Sequence, residues 1–189
     1  VIGGDELAIV INRVDESGEV TTSLFRSDLN FFGTVNAEHG ILKADMIKDD
    51  VLQIMQEVLE DARLGRIDDV DDVISKEIVK RFDQRMTDQG ITITAEIDNV
   101  KVTTRPSLSI GSADTSGAIG QEVVLRTITG EKNGASILNK VADAAAEEQK
   151  VIGKAKLLQS TDDIKRVDPE DFVARGVITY DELAKKVTR

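Results

Sequence analysis

The chain has 189 residues, with 35 acidic against 24 basic side chains, a net charge of −11 and an aromatic fraction of only 3%. This length fits one domain with an aliphatic core, while the negative charge disfavours direct binding to nucleic acid and adsorption to anionic membranes. The absence of cysteine excludes disulfides, thiolate nucleophiles and zinc–thiolate sites, and no apolar run approaches the ~20 residues of a membrane-spanning helix.

The first part of the chain predicts a β-hairpin. Residues 7–11 are apolar and mostly β-branched, and residues 20–25 form a second β-prone run. The turn between them contains Gly18, which supplies left-handed backbone at low cost. The residues that follow, 27–40, are predicted to form a loop.

Two amphipathic helices are predicted next, over residues 43–63 and 69–86, ending at Gly65 and Gly90. Acidic residues in the first turn of the second helix suit its dipole. The short connection between the helices favours an antiparallel helical hairpin. Apolar side chains recur at spacings of three and four and are predicted to be buried: Ile47, Val51, Ile54, Met55, Val58, Leu59 and Ala62 in the first helix, and Val70, Ile74, Ile78, Phe82 and Met86 in the second.

A cluster of strands is predicted after the helices. Residues 91–97 alternate strictly, so Ile91, Ile93, Ala95 and Ile97 are expected to face inward. Residues 100–104 are expected to continue or pair with that strand, and Pro106 limits any strand there to a sheet edge. Residues 110–120, rich in Gly and Ser, are predicted as a flexible loop. Residues 122–129 are predicted as a further strand.

A long helix is predicted over residues 135–158, with an apolar stripe formed by Ile137, Val141, Ala145, Ile152 and Ala155. Alanines thin the middle of this helix, so a partner helix is expected to approach closely there. Ala142 and Ala145 are therefore candidate interface residues.

Residues 160–189 are predicted to form a tail of short helices, separate from a body at 1–159. Pro169 suits a first helical position, and a capping box begins at Thr179. The sequence from Phe172 to Lys186 resembles the helix, Gly-Val-Ile-Thr turn and acidic helix of SHOCT-type short C-terminal hairpins, at about residues 168–187. The resemblance implies a role in oligomerisation. Short helices are marginal alone, so the apolar residues of the tail are expected to dock on the body or on a neighbouring subunit, and four of them are candidate interface residues: Phe172, Val177, Ile178 and Leu183.

The single histidine, His39, cannot build a multi-histidine metal site and is interpreted as a surface residue. Short fragments around His39 and Ser116, together with the first four residues, faintly resemble elements of trypsin-like proteases, with Asp49 or Asp50 as the orienting acid. That fold is a pair of β-barrels, whereas residues 43–86 are helical by pattern. The protease hypothesis is therefore rejected.

Three acidic clusters, at residues 49–50, 68–72 and 162–163, offer oxygen ligands of the kind that Mg²⁺ and Ca²⁺ prefer. None has the ligand spacing of an EF-hand loop. Helix capping and solvated faces account for all three clusters. No catalytic, metal-binding or cofactor-binding residue is therefore assigned.

The order of the elements predicts an α+β fold: an N-terminal β-hairpin, a helical hairpin, an antiparallel strand cluster, a long helix and a short-helix tail. The expected function is that of a non-enzymatic structural or assembly component. We expect it to act through protein partners and self-association, with no cofactor, no direct contact with nucleic acid and no membrane.

The chain begins at Val1 instead of Met, which fits either natural proteolytic cleavage or artificial trimming. On the first of these, the specific form expected is a proteolytically processed virion protein of a tailed phage. A small cytosolic adaptor or regulator that acts by helix docking is the alternative, and an enzyme with a carboxylate-held metal is the third. The expected location is accordingly a virion or the cytoplasm.

Overall fold

The computed structural model describes residues 6–115 and 134–159. Among them are antiparallel strands and long helices, which confirms the predicted α+β class. The predicted strand at 122–129 and the predicted tail at 160–189 lie outside the described residues. In chain order the elements are β1 (Glu6–Val14), β2 (Val20–Asn30), α1 (Phe32–His39), α2 (Ile41–Arg63), α3 (Asp71–Gln89), β3 (Ile93–Ile97), β4 (Val100–Thr104), β5 (Ser107–Asp114) and α4 (Gly134–Gln159).

The main sheet has the strand order β1-β2-β5, and both of its pairings are antiparallel. The β1–β2 turn confirms the predicted hairpin: Gly18 has φ 85°, and the Asp15 carboxylate accepts hydrogen bonds from the backbone N–H groups of Ser17 and Glu19. β3 and β4 form a separate hairpin. Its two-residue turn, Asp98 and Asn99, has positive φ at both positions, which matches the twist of the strands.

The helical hairpin α2–α3 covers one face of the main sheet and forms the largest hydrophobic core with it. The predicted stripes are confirmed at all but two positions: Leu59 is half-buried, and Val70 is 55% exposed because α3 begins after it. All four inward residues predicted in and before β3 are buried. The core combines Phe25, Leu29, Leu108 and Ile110 of the sheet with Ile47, Val51, Ile54, Met55, Val58, Ile74, Ile78, Phe82 and Met86 of the helices.

α4 covers the opposite face of the sheet and runs antiparallel to β5. Leu138 and Ala142 near its start pack with Leu24 and Ala113, and Ala155 and Leu158 near its end pack with Ile97 and Val102. The predicted stripe is therefore displaced. Val141, Ala145 and Ile152 are half-buried, Ala155 is buried as predicted, and the side chain of Ile137 is not described.

Two predicted loops are wrong in part. Within residues 27–40, β2 continues to Asn30 and α1 spans Phe32–His39, with Phe31 in left-handed conformation at φ 60° between them. The apolar pattern does not predict this extension, because the face of β2 that α4 covers carries the polar residues Arg26, Asp28 and Asn30. Within residues 110–120, Gly and Ser up to Asp114 belong to β5. The small size of these residues allows α4 to pack closely on β5 and does not indicate a flexible loop. None of the described helices is long and apolar enough to cross a membrane.

Candidate functional site, a groove along the outer edge of β5

β5 pairs with β2 along one edge, and within residues 6–115 and 134–159 no strand pairs with its other edge. α3 and α4 rise on either side of that outer edge and enclose two adjoining cavities of about 400 and 420 Å³. Asp72, Ser75, Ile110 and Gln149 line both cavities, so the two form one trough. We call it the edge groove. At ~3.3 Å per residue, the eight residues of β5 give it a length of about 26 Å.

The floor of the edge groove is the backbone of β5. The Thr115 N–H donates to the Thr22 carbonyl oxygen, at 3.0 Å, in the same register that pairs β2 with β5. Because antiparallel partners alternate, the residues two, four and six positions earlier also bond to β2. The N–H and C=O groups of Leu108, Ile110 and Ser112 therefore point away from β2, into the groove.

Hydroxyl and amide side chains line part of the first cavity, beside apolar side chains of α3, β5 and α4. The Asn30 amide donates to the hydroxyl oxygens of Ser107 and Ser109, at 3.0 and 2.9 Å, which ties β2 to the start of β5. The Ser75 hydroxyl on α3 is buried and has no hydrogen-bond partner among the described residues. An unpaired buried hydroxyl costs about 1–3 kcal/mol, so the groove wall carries a donor that is not used by the described chain.

The charge of the groove differs between its ends. The second cavity is lined by Asp71, Asp72, Asp114 and Glu148 and by no basic side chain of the described residues. Burial raises the pKa of Asp71, and the hydrogen bonds from Ser23 and the Arg13 guanidinium offset only part of that rise. The first cavity has lysines as well as aspartates on its rim. One end of the groove is thus acidic and the other is mixed.

The α4 wall is held on the sheet by polar contacts as well as apolar ones. Arg26, 9% exposed on β2, pairs with Glu6 at 2.6 Å and Asp143 at 3.2 Å, and donates to the Asn139 side chain at 2.8 Å. Lys150 pairs with Asp28, which is 5% exposed. Burial opposes the charge of Lys150, but this partner raises its pKa overall.

The predicted interface residues on α4 lie at this wall. Ala142 is completely buried against β5, and Ala145 is half-buried and lines the second cavity. The close approach predicted for these alanines occurs with a strand of the same chain: a Cβ placed on Gly111 would lie 2.0 Å from the Ala142 carbonyl oxygen and 2.9 Å from the Ala145 Cβ. Phe172, Val177, Ile178 and Leu183 lie outside the described residues.

The other residues singled out from the sequence are dispersed. His39 ends α1 with its Nε2 atom 2.6 Å from the Thr92 carbonyl oxygen, and Ser116 is not described. α2 and α3 occupy the region where a trypsin-like fold requires β structure. Asp50 contacts Arg85 at 3.3 Å, and Asp69 contacts Arg13 at 2.8 Å. Within the described ranges, no group of three or more His, Cys, Asp or Glu side chains is arranged to hold a metal ion.

Sequence reasoning missed the edge groove. The sequence feature that could have indicated the groove is the Gly- and Ser-rich composition of β5, which permits both a polar cluster and the close approach of α4. Comparison with protein-family models, with curated proteins and with solved structures finds no match. The described residues define an α+β protein in which the outer edge of β5 has no paired strand.

Proposed function

We propose that this protein is a non-enzymatic assembly component that self-associates by taking an extended segment of a protein partner into the edge groove. The observation that carries the proposal is the row of outward N–H and C=O groups on β5, at Leu108, Ile110 and Ser112, between the walls α3 and α4. Such a row is a template for strand addition.

The dimensions and chemistry of the groove fit a polypeptide better than a small substrate. A trough about 26 Å long accommodates an eight-residue strand, and main-chain hydrogen bonds to β5 would supply affinity along its whole length. The groove is lined by polar side chains together with Val79, Leu108, Ile110 and Ile152, and such a mixed lining suits the alternating side chains of an extended segment. The setting in a phage particle was inferred from the first residue alone and is not part of this proposal.

A cytosolic adaptor remains the alternative, because the same groove would suit a segment of a different protein. Self-association distinguishes the two functions. Either function would use the edge of β5 as α3 and α4 leave it in the described fold, so the oligomeric state of the full chain decides between them.

The test is sedimentation velocity of the full chain over a range of micromolar concentrations. Ser112→Pro removes an outward N–H that the β2–β5 ladder does not use, so the fold should persist while strand addition is lost. Ser112→Ala keeps that N–H and is the matched control. We expect multimers for the unmodified chain and for Ser112→Ala, and a folded monomer for Ser112→Pro.

A second variant protects the test against misfolding of the proline variant. Gln149 is exposed and lines both cavities, so Gln149→Tyr should fill the middle of the groove without disturbing the core. A monomeric unmodified chain at every concentration would refute assembly. Multimers that persist in both Ser112→Pro and Gln149→Tyr would place the interface elsewhere.

A further inference from the structure

The two faces of the main sheet are covered by helices in different ways. The face under α2 and α3 presents large apolar side chains of both β2 and β5: Phe25, Leu29, Leu108 and Ile110. These side chains belong to the largest hydrophobic core, together with the apolar stripes of the two helices. Burial of apolar surface is the dominant favourable contribution to packing of this kind. α2 and α3 are therefore held on the sheet chiefly by hydrophobic packing.

The face under α4 is mostly polar. Of the four cross-strand pairs of β2 and β5 on this face, only Leu24 with Ala113 is apolar. The other three combine a polar side chain of β2 with a glycine or serine of β5: Arg26 with Gly111, Asp28 with Ser109 and Asn30 with Ser107. The three polar side chains of β2 are nevertheless buried. α4 thus covers groups that water would solvate well.

α4 itself adds little apolar area to the interface. Leu138 and Ala142 near its start pack on the main sheet, and Ala155 and Leu158 near its end pack on the β3–β4 hairpin. Ala146, between these contacts, is also buried. Three of these five residues are alanines, and each alanine buries a single methyl group, so the hydrophobic gain is small. Among the described residues, apolar packing holds α4 less strongly than it holds α2 and α3.

Ion pairs form much of the remaining contact between α4 and β2. Arg26 pairs with Asp143 at 3.2 Å and donates to the Asn139 side chain at 2.8 Å, and Lys150 pairs with Asp28. Desolvation of buried charges cancels much of their attraction, so an intact buried pair adds little net stability. Release of α4 exposes both members of each pair to water together. Release therefore avoids the cost of leaving one charge buried and unpaired.

We infer that α4 detaches from the sheet as one unit while the packing of α2 and α3 on the other face stays intact, so that α4 is a releasable wall of the edge groove. Sub-global openings occur where few apolar groups are buried. Detachment exposes a sheet face of polar and small residues, and it leaves β5 paired with β2. It does not require strand addition at β5 and would occur whether or not the proposed function holds.

The full chain contains no cysteine, so a single introduced thiol reports this opening without background. Ala142→Cys and Ala155→Cys place a thiol in the two apolar contacts of α4, at positions that are 0% and 4% exposed. Ala44→Cys and Ala62→Cys are the matched controls in α2, at 0% and 5% exposed. A thiol-reactive reagent modifies each buried thiol only when its helix opens. Far-UV circular dichroism checks that each variant is folded.

We expect both α4 thiols to react at least about ten-fold faster than the α2 thiols without denaturant, because α2 opens only on global unfolding. The two α4 thiols should react at similar rates, since one event exposes both. Urea should accelerate the α4 thiols less steeply than the α2 thiols, because the slope scales with the surface that opening exposes. Ala142 lies at the close contact with Gly111, and a variant that is destabilised globally there would show the full urea slope.

Two outcomes would overturn the detachment of α4. Equal rates and equal urea slopes for the thiols of α4 and α2 would show that α4 leaves the sheet only on global unfolding. Fast reaction at residue 155 with slow reaction at residue 142 would show fraying of the helix end alone. Sedimentation of the unmodified chain reports separately on assembly, so a monomeric chain with fast labelling of α4 would refute the proposed function and leave the detachment standing.

Discussion

Replacing Gly111 by alanine tests whether the close contact between β5 and α4 fixes the position of the groove wall. Gly111 lies under the middle of α4, where an added Cβ would be 2.0 Å from the Ala142 carbonyl oxygen, 2.5 Å from the Ala146 backbone nitrogen and 2.9 Å from the Ala145 Cβ. Two of these three atoms belong to the helix backbone. They cannot move aside as the end of a flexible side chain would.

The expected cost follows from this geometry. Ordinary contact begins at 3.4 Å, so α4 must move about 1.4 Å to clear the Ala142 oxygen. Overpacking of this kind costs about 1–3 kcal/mol, and contacts with backbone favour the upper end of that range. Replacing Gly by Ala in a regular element returns about 0.5–1 kcal/mol. We therefore expect Gly111→Ala to lower the free energy of unfolding by about 2 kcal/mol.

The measurement is urea unfolding followed by far-UV circular dichroism, at a concentration that keeps the chain monomeric. Gly153→Ala is the matched control, since Gly153 lies in α4 with no atom within 4 Å of an added Cβ. That variant should gain up to about 1 kcal/mol from helix propensity. Equal stability of Gly111→Ala and the unmodified chain would refute the close contact and with it the position of the α4 wall.

Three further predictions concern polar groups. Lys150→Met should lower the free energy of unfolding by about 3 kcal/mol, because it removes a cationic partner of the buried Asp28. The control Lys140→Met, at an exposed position, should change that free energy by no more than about 0.5 kcal/mol. Equal effects of the two variants would contradict the ion pair. Burial raises the pKa of Asp71 in the folded chain above the ordinary 3.8, so ionisation of this carboxyl group disfavours folding. The stability of the unmodified chain relative to Asp71→Asn should therefore fall as the pH rises from below 4 to 7. The opposite trend in urea unfolding would contradict this prediction. Ser75→Ala should leave monomer stability unchanged or raise it by about 1 kcal/mol, and a loss of that size would show that the hydroxyl has a partner.

Much of the fold could be predicted from the sequence because its largest core is regular. The stripes of α2 and α3 repeat at helical spacing, and β3 alternates apolar and polar residues, so periodicity alone identified the residues that are buried. The predicted boundaries of strands are wrong where contacts with distant elements, and not local periodicity, decide how far the strand extends. The extension of β2 carries Arg26, Asp28 and Asn30 on one face, and nothing local indicates that a distant helix would cover them.

The groove could not be predicted because its parts are remote in sequence. The Gly–Ser content of β5 indicates a loop when read locally, and only the approach of α4 to Gly111 explains it. The stripe on α4 was displaced for the same reason. Ala142 and Ala146 face the sheet because a larger side chain would not fit beside the β5 backbone, although Val141 and Ile152 are more hydrophobic.

The main sheet has two edge strands, β1 and β5. Each could pair non-specifically with a strand of another molecule unless its edge is protected. Long edge strands are aggregation sites unless charge, proline or a neighbouring element protects them. Along β1, charged side chains and α2 border the edge: Arg13 is fixed by Asp69 and Asp71, at 2.8 and 3.0 Å. Along β5, the helices α3 and α4 line the edge on its two sides, so protection there comes from neighbouring elements. A walled edge of this kind is selective by shape, so the same features that prevent aggregation would make assembly specific.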